Sequence, residues 1–240
     1  MAKAEVQNAE SVLQEASSHY NDVASQIGQL KSQVNTATAE VAQFSSQIQQ
    51  KDMQISGRKT QIAQAQRMLD SLRNQYSELL DASSRAEDEA ELRSIQAQVQ
   101  QVRQQAEQQQ ALINQYQAEC QRLEQERQQL AQQLQAAKQR LQEAQAALES
   151  FAGKCKEYGS RLCTFAGAVA RHASDMNKSA AAFQTGGSGK RWNEPWQQAY
   201  GWSSKEAQRI NGISNRLRST GEAYRNLASS AGSNQRERSR

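Results

Sequence analysis

Ile62-Ala63-Gln64-Ala65-Gln66-Arg67-Met68-Leu69-Asp70-Ser71-Leu72-Arg73-Asn74-Gln75-Tyr76-Ser77-Glu78-Leu79 places Ile62, Ala65, Leu69, Leu72, Tyr76 and Leu79 at alternating steps of three and four. That spacing keeps the apolar side chains on one narrow stripe of an α-helix, with polar residues on the remaining faces. Followed back towards the N-terminus, the same phase holds without a slip to Val6. Of the 22 stripe positions from Val6 to Leu79, 20 are apolar, and the exceptions are Lys51 and Arg58. A second run from Leu92 to Phe183 has 27 such positions, of which only Gln109, Arg127, His172 and Ser179 are polar. Stripes sustained this long predict two very long helices, each burying a seam against a partner helix.

The two runs are out of phase. Continuing the first beyond Leu79 would bring Ser83, Ala86, Ala90 and Arg93 to the seam, whereas the second run starts at Leu92 and Ile95. A two-residue offset is not one that a continuous coiled coil absorbs. Between the runs lies Asp81-Ala82-Ser83-Ser84-Arg85-Ala86-Glu87, in which Ser84 and Glu87 have the spacing of a capping box. The expected fold is therefore all-α, a long antiparallel coiled-coil helical hairpin. Helix one covers residues 4–80, the turn 81–84, and helix two starts at 85. Setting Leu79 opposite Leu92 makes the numbers of facing residues add to 171. Lys51 then faces Cys120, Arg58 faces Ile113 and Arg127 faces Phe44. Such cations either lift their charge out of the seam along their stems or fix its register as polar layers.

Beyond residue 150 the composition changes. Residues 1–149 carry 14 basic and 19 acidic side chains, while residues 150–240 carry 15 and six. Nine of the 13 aromatic residues also lie after residue 150. Glutamine fills 21 of the 50 positions from Gln96 to Gln145 and avoids the seam except at Gln109, as a solvated helix face does. The chain thus reads as a Gln-rich shaft, 1–149, and a basic helical head, 150–232, ahead of a disordered basic tail, 233–240. In the head, helix two continues to about 184 and a Gly/Trp-rich loop spans 185–203. A third helix, 204–230, opens at a Ser203/Glu206 capping box and carries Ile210, Ile213, Leu217, Thr220, Tyr224 and Leu227 at helical spacing. Folded back on the end of helix two, it makes a small three-helix head.

The motifs point away from catalysis. Gly186-Gly187-Ser188-Gly189-Lys190 resembles a phosphate-binding loop only in its last residues. Gln184 stands where the first glycine belongs, and neither a preceding strand nor a following Ser or Thr is present. The two histidines, His19 and His172, are far apart, and a metal site needs several converging ligands. No nucleophile has an identifiable base beside it, so the expectation is a non-enzymatic protein without cofactor or metal. Cys120, Cys155 and Cys163 read as reduced thiols; a rise of about 12 Å separates the last two on one helix, too far for a disulfide.

The most suggestive site is the cluster Trp192, Trp196, Tyr200 and Trp202, flanked by Lys190, Arg191 and Arg209. Trp-rich surfaces ringed by cations are typical protein-binding hot spots, although the same rings can plug the end of a bundle. The leading expectation is a rigid spacer or scaffold presenting this head to a protein partner, with self-association through the shaft as a further possibility. A leaderless component of a specialised secretion or toxin-delivery system is the alternative. A nucleic-acid organiser is the third, resting weakly on Arg209, Arg216, Arg218 and Arg225, which could also meet an anionic surface. No stretch approaches the roughly 20 apolar residues of a membrane span. Met1-Ala2-Lys3-Ala4-Glu5 leads straight into the heptads, so a cytoplasmic location, or export without a cleaved signal peptide, is expected.

Overall fold

The computed structural model describes residues 2–186 and 194–236. Among these the chain is all-helical: α1 (Ala2–Ser83), α2 (Glu89–Gly186) and α3 (Glu194–Arg236). No described residue lies in a strand, and none of the helices is long and apolar enough to cross a membrane.

The break between α1 and α2 falls at residues 84–88, four residues later than the expected turn. Ser84 does not cap α2. Its amide donates to the Leu80 carbonyl at 3.1 Å and its hydroxyl to the Asp81 carbonyl at 2.7 Å, so it closes the end of α1. The N-cap of α2 is Asp88, whose carboxylate accepts from the Glu91 amide at 2.6 Å. Glu91 reaches back to accept from the Glu87 amide at 3.4 Å. The first helical hydrogen bond runs from the Leu92 amide to the Asp88 carbonyl at 3.1 Å. The sequence holds two consecutive capping boxes, Ser84–Glu87 and Asp88–Glu91, and the acidic second one opens the helix.

Helix α3 starts at Glu194 rather than at 204, so residues 194–203 of the expected loop are helical. Pro195 occupies the first turn, where a missing N–H costs no hydrogen bond. Ser203, the expected cap, is buried inside the helix at 1% exposure. Glu206 turns to Arg209 instead, at 3.2 Å. At its other end α3 continues to Arg236, taking in part of the expected disordered tail. Ala228 and Ala231 are buried there and prolong the packed stripe. Residues 187–193 of the expected loop and 237–240 of the expected tail lie outside the described residues.

The chain divides into two compact units, one of residues 1–36 with 140–240 and the other of residues 37–139. In the first, three helices share one core. Glu10 pairs with Arg209 and Lys31 with Ser230, so α1 and α3 run parallel. Glu5 pairs with His172 on α2 at 2.8 Å. The Ser214 hydroxyl donates to the Ala166 carbonyl at 2.8 Å, and the Cys163 thiol to the Arg218 carbonyl at 3.8 Å, so α2 and α3 run antiparallel. Val6, Leu13, Ile27, Leu148, Leu162, Val169, Ile210, Leu217 and Tyr224 form the apolar centre. Ala9, Ala16, Ala166, Ala173 and Ala207 are fully enclosed among them. Small residues at these positions let the helix backbones come close.

The second unit contains only α1 and α2. Lys51 meets Glu126 and Arg58 meets Glu119, so a step of seven along α1 is matched by a step of seven back along α2. The helices are antiparallel, and the numbers of these facing residues add to 177 instead of the expected 171. The register is thus looser by about one heptad. Ala65, Leu69 and Ile113 form a small core with Ile62 and Ala106 against it. Other seam residues, including Val41, Phe44, Ile48, Val99, Val102, Leu130 and Leu134, are only half-buried. Two helices cover a seam from two sides and leave its flanks open.

Candidate functional site

The residues singled out by sequence are distributed unevenly. Lys190, Arg191 and Trp192 lie outside the described residues, as does the side chain of Trp196, whose backbone forms the first turn of α3. Tyr200 is half-buried one turn further on. Trp202 projects from the same helix with 64% of its surface exposed. Apolar residues later on α3, such as Ile210 and Leu217, are almost wholly buried, so the indole is placed outside a face that the helix otherwise hides well. Its exposure is incompatible with a role as a plug of this bundle.

Arg209 is a bundle clasp as much as a surface cation. Its guanidinium donates three hydrogen bonds to the Glu10 carboxylate, at 2.8, 2.9 and 3.2 Å, and reaches Glu206 at 3.2 Å. The Glu10 hydrogen bonds, then the charges of Glu10 and Glu206, hold its pKa above the ordinary arginine value. Bidentate geometry gives the contact its direction, locking α3 against α1. Arg216, Arg218 and Arg225 are exposed further along α3.

In the same unit three tyrosines, one from each helix, come together, with Tyr224 buried, Tyr20 half-buried and Tyr158 at the surface. Tyr224 is 2% exposed and takes Tyr20 and Tyr158 edge-on, at ring separations of 5.3 and 5.1 Å. Its hydroxyl donates to the Ala16 carbonyl at 2.9 Å. Burial, reinforced by the neighbouring Tyr158, pushes its pKa up to about 12. Tyr158 is raised as well, by burial and then by Glu15. The ring cluster joins all three helices through edge-to-face contacts.

Beside it, α2 and α3 cross at two glycines. A Cβ on Gly159 would lie 2.5 Å from the Gly221 carbonyl oxygen, and one on Gly221 would lie 2.6 Å from that of Gly159. Neither position has room for any other residue. The signal was present in the sequence as two isolated glycines within helical stripes, a pattern that marks close backbone approach.

The second unit carries a belt of charge through its seam. Lys51–Glu126, Arg58–Glu119 at 2.7 Å, Lys59–Glu124 at 3.2 Å and Arg127–Asp52 all bridge α1 and α2. Arg58 also lies over the Tyr116 ring, 5.4 Å from its centre. The hydrogen bond from Lys51 holds the Glu126 carboxyl below its ordinary pKa. The three seam cations therefore do not merely lift their charge into water; each ends on a carboxylate of the other helix. Gln54, Gly57, Arg58, Gln61, Glu119, Arg122 and Leu123 border an open groove of about 310 Å³ beside this belt.

Nucleophilic and metal-binding residues are dispersed. Cys120 and Cys155 are buried and Cys163 half-buried, all as free thiols. Burial raises the Cys155 pKa, away from the reactive thiolate. Among the described residues no three His, Cys, Asp or Glu side chains converge as a metal site would require. Compared with protein-family models, curated proteins and solved structures, the chain shows no match.

Proposed function

We propose that this chain is a non-enzymatic interaction protein, a coiled-coil helical hairpin acting as a spacer or scaffold whose three-helix head offers an aromatic, basic surface to a protein partner. The observation that carries this reading is Trp202, 64% exposed on a helix that buries Ile210, Ile213, Leu217 and Tyr224. An exposed indole on a rigid helix is an economical anchor, because it brings a large contact area with few rotamers to freeze. Half-buried Tyr200 and exposed Lys205 stand near it in the sequence of α3, and Lys190, Arg191, Trp192 and Trp196 precede it in the sequence. Arg209 supports it by anchoring α3 to α1. The long paired helices and their polar belt favour a mechanical role over a chemical one.

The test compares Trp202→Ala with the wild-type chain as bait in cells of its source. The expected result is a protein captured by the wild type, lost with Trp202→Ala, and lost without any change in melting temperature. Equal capture by both baits would overturn the assignment of the surface.

A further inference from the structure

We propose that two copies of this chain pair isologously through the α1–α2 end nearest the break at residues 84–88, each inserting Leu80 into the other's groove. This inference is independent of the C-terminal surface, since every residue it uses lies within 37–139.

Leu72, Tyr76, Val102 and Ala106 line a groove of about 270 Å³ that Arg73 and Arg103 rim. Its apolar wall stays open because only two helices enclose the seam there. Tyr76 retains 36% of its exposure and Leu80, one turn further, 47%. Arg73 and Leu80 are seven residues apart and so lie along the same edge of α1. The groove and the projecting leucine are therefore neighbours on one edge, which is what a two-fold, self-complementary contact requires.

Charge selects a second copy as the occupant. Leu80 is flanked in sequence by Glu78 and Asp81, whereas the groove is flanked by Arg73 and Arg103. When Leu80 of one copy enters the groove of the other, carboxylates approach the two guanidiniums. The reciprocal insertion repeats the same match. Arg73 reaches its own-chain partner Asp70 only at 3.4 Å, and Arg103 reaches Glu107 at 3.2 Å, with all four side chains mostly in water. Exposed pairs of this kind exchange at little cost. The two-fold axis then passes between the groove and Leu80, close to exposed Ser77.

Sedimentation equilibrium of the full chain over a wide concentration range gives the first readout. The expected result is a reversible monomer–dimer equilibrium. Leu80→Lys weakens it roughly a hundredfold, because each dimer loses two buried leucines and sets two ammonium groups against Arg73 and Arg103. Arg73→Glu combined with Arg103→Glu also weakens it, and helicity by circular dichroism stays that of the wild type. A second readout is Ser77→Cys, expected to give a disulfide-linked dimer under mild oxidation that the wild type does not give. A wild-type chain that remains monomeric throughout overturns the proposal. So does a dimer that survives Leu80→Lys, or one in which Ser77→Cys fails to cross-link, since association would then use another surface.

Discussion

Tyr224 concentrates much of the first unit's specificity in one side chain. It closes the core, receives two rings edge-on and satisfies its hydroxyl on the Ala16 carbonyl, 208 positions away in sequence. Its pKa is raised to about 12, so the folded state favours the neutral phenol. The stability linked to that neutrality is complete below the ordinary tyrosine pKa of about 10 and disappears as pH rises through about 12. Spectrophotometric titration should show a phenolate that forms only with alkaline unfolding, and Tyr224→Phe should remove it. The same variant should cost about 1 kcal/mol in urea unfolding, the usual worth of a hydrogen bond. The glycines give a sharper contrast. Gly159→Ala and Gly221→Ala set a methyl against a carbonyl oxygen that cannot rotate aside. Each should destabilise by about 1–3 kcal/mol through forced separation of α2 and α3. Gly153→Ala and Gly167→Ala meet nothing within 4 Å and should raise the melting temperature, by up to about 1 kcal/mol of helix propensity each.

At the scale of elements, the helices were legible and their register was not. Periodicity alone marked α1 and α2, because it repeats over more than twenty seam positions in each. The stripe of α3 was equally plain at Ile210, Ile213, Leu217 and Tyr224, all buried. What failed was the choice between equivalent local signals. Ser84/Glu87 and Asp88/Glu91 both spell a capping box, and local sequence cannot rank them when either closure satisfies the amides. The choice is made some thirty residues away, where Lys51, Arg58 and Arg127 all end on carboxylates of the other helix in the looser register, while the tighter one sets Arg58 beside Leu112 and Ile113. Seam apolar residues are too alike to discriminate between registers one heptad apart, whereas a misplaced cation is costly. Paired substitutions Phe44→Cys and Leu134→Cys should accordingly form an intramolecular disulfide. Phe44→Cys with Arg127→Cys, which face each other only in the tighter register, should not. Of the aromatic cluster, sequence named Trp202 but could not separate an outward indole from an inward one. It also took Arg209 for a free cation, since its partner Glu10 lies 199 residues away.

For the molecule as a whole, the division into units sets where stability resides. Residues 1–36 and 140–236 share a core sealed by a third helix, with Ala9, Ala16, Ala166 and Leu217 at 0% exposure. Residues 37–139 leave much of their seam half-open. Opening free energies follow the density of buried contacts. Hydrogen exchange should therefore be slower around Ala16, Leu162 and Leu217 than around Phe44, Ile48 and Leu134. Uniform protection across both sets would contradict this reading of the cores.

The discontinuous unit also has a history on the ribosome. Residues 1–36 emerge well before two of their partners, since Arg209 lies 199 residues after Glu10 and Tyr224 lies 208 residues after Ala16. Residues 37–139 hold both helices of their own unit and can meet once residue 139 has emerged. The nascent chain must therefore carry the amphipathic start of α1 with one flank bare until α3 has been made. At about 5–20 residues per second that interval is roughly ten to forty seconds. The alanines at Ala9 and Ala16, which serve close packing in the finished bundle, also make that waiting surface less adhesive than leucine or phenylalanine would.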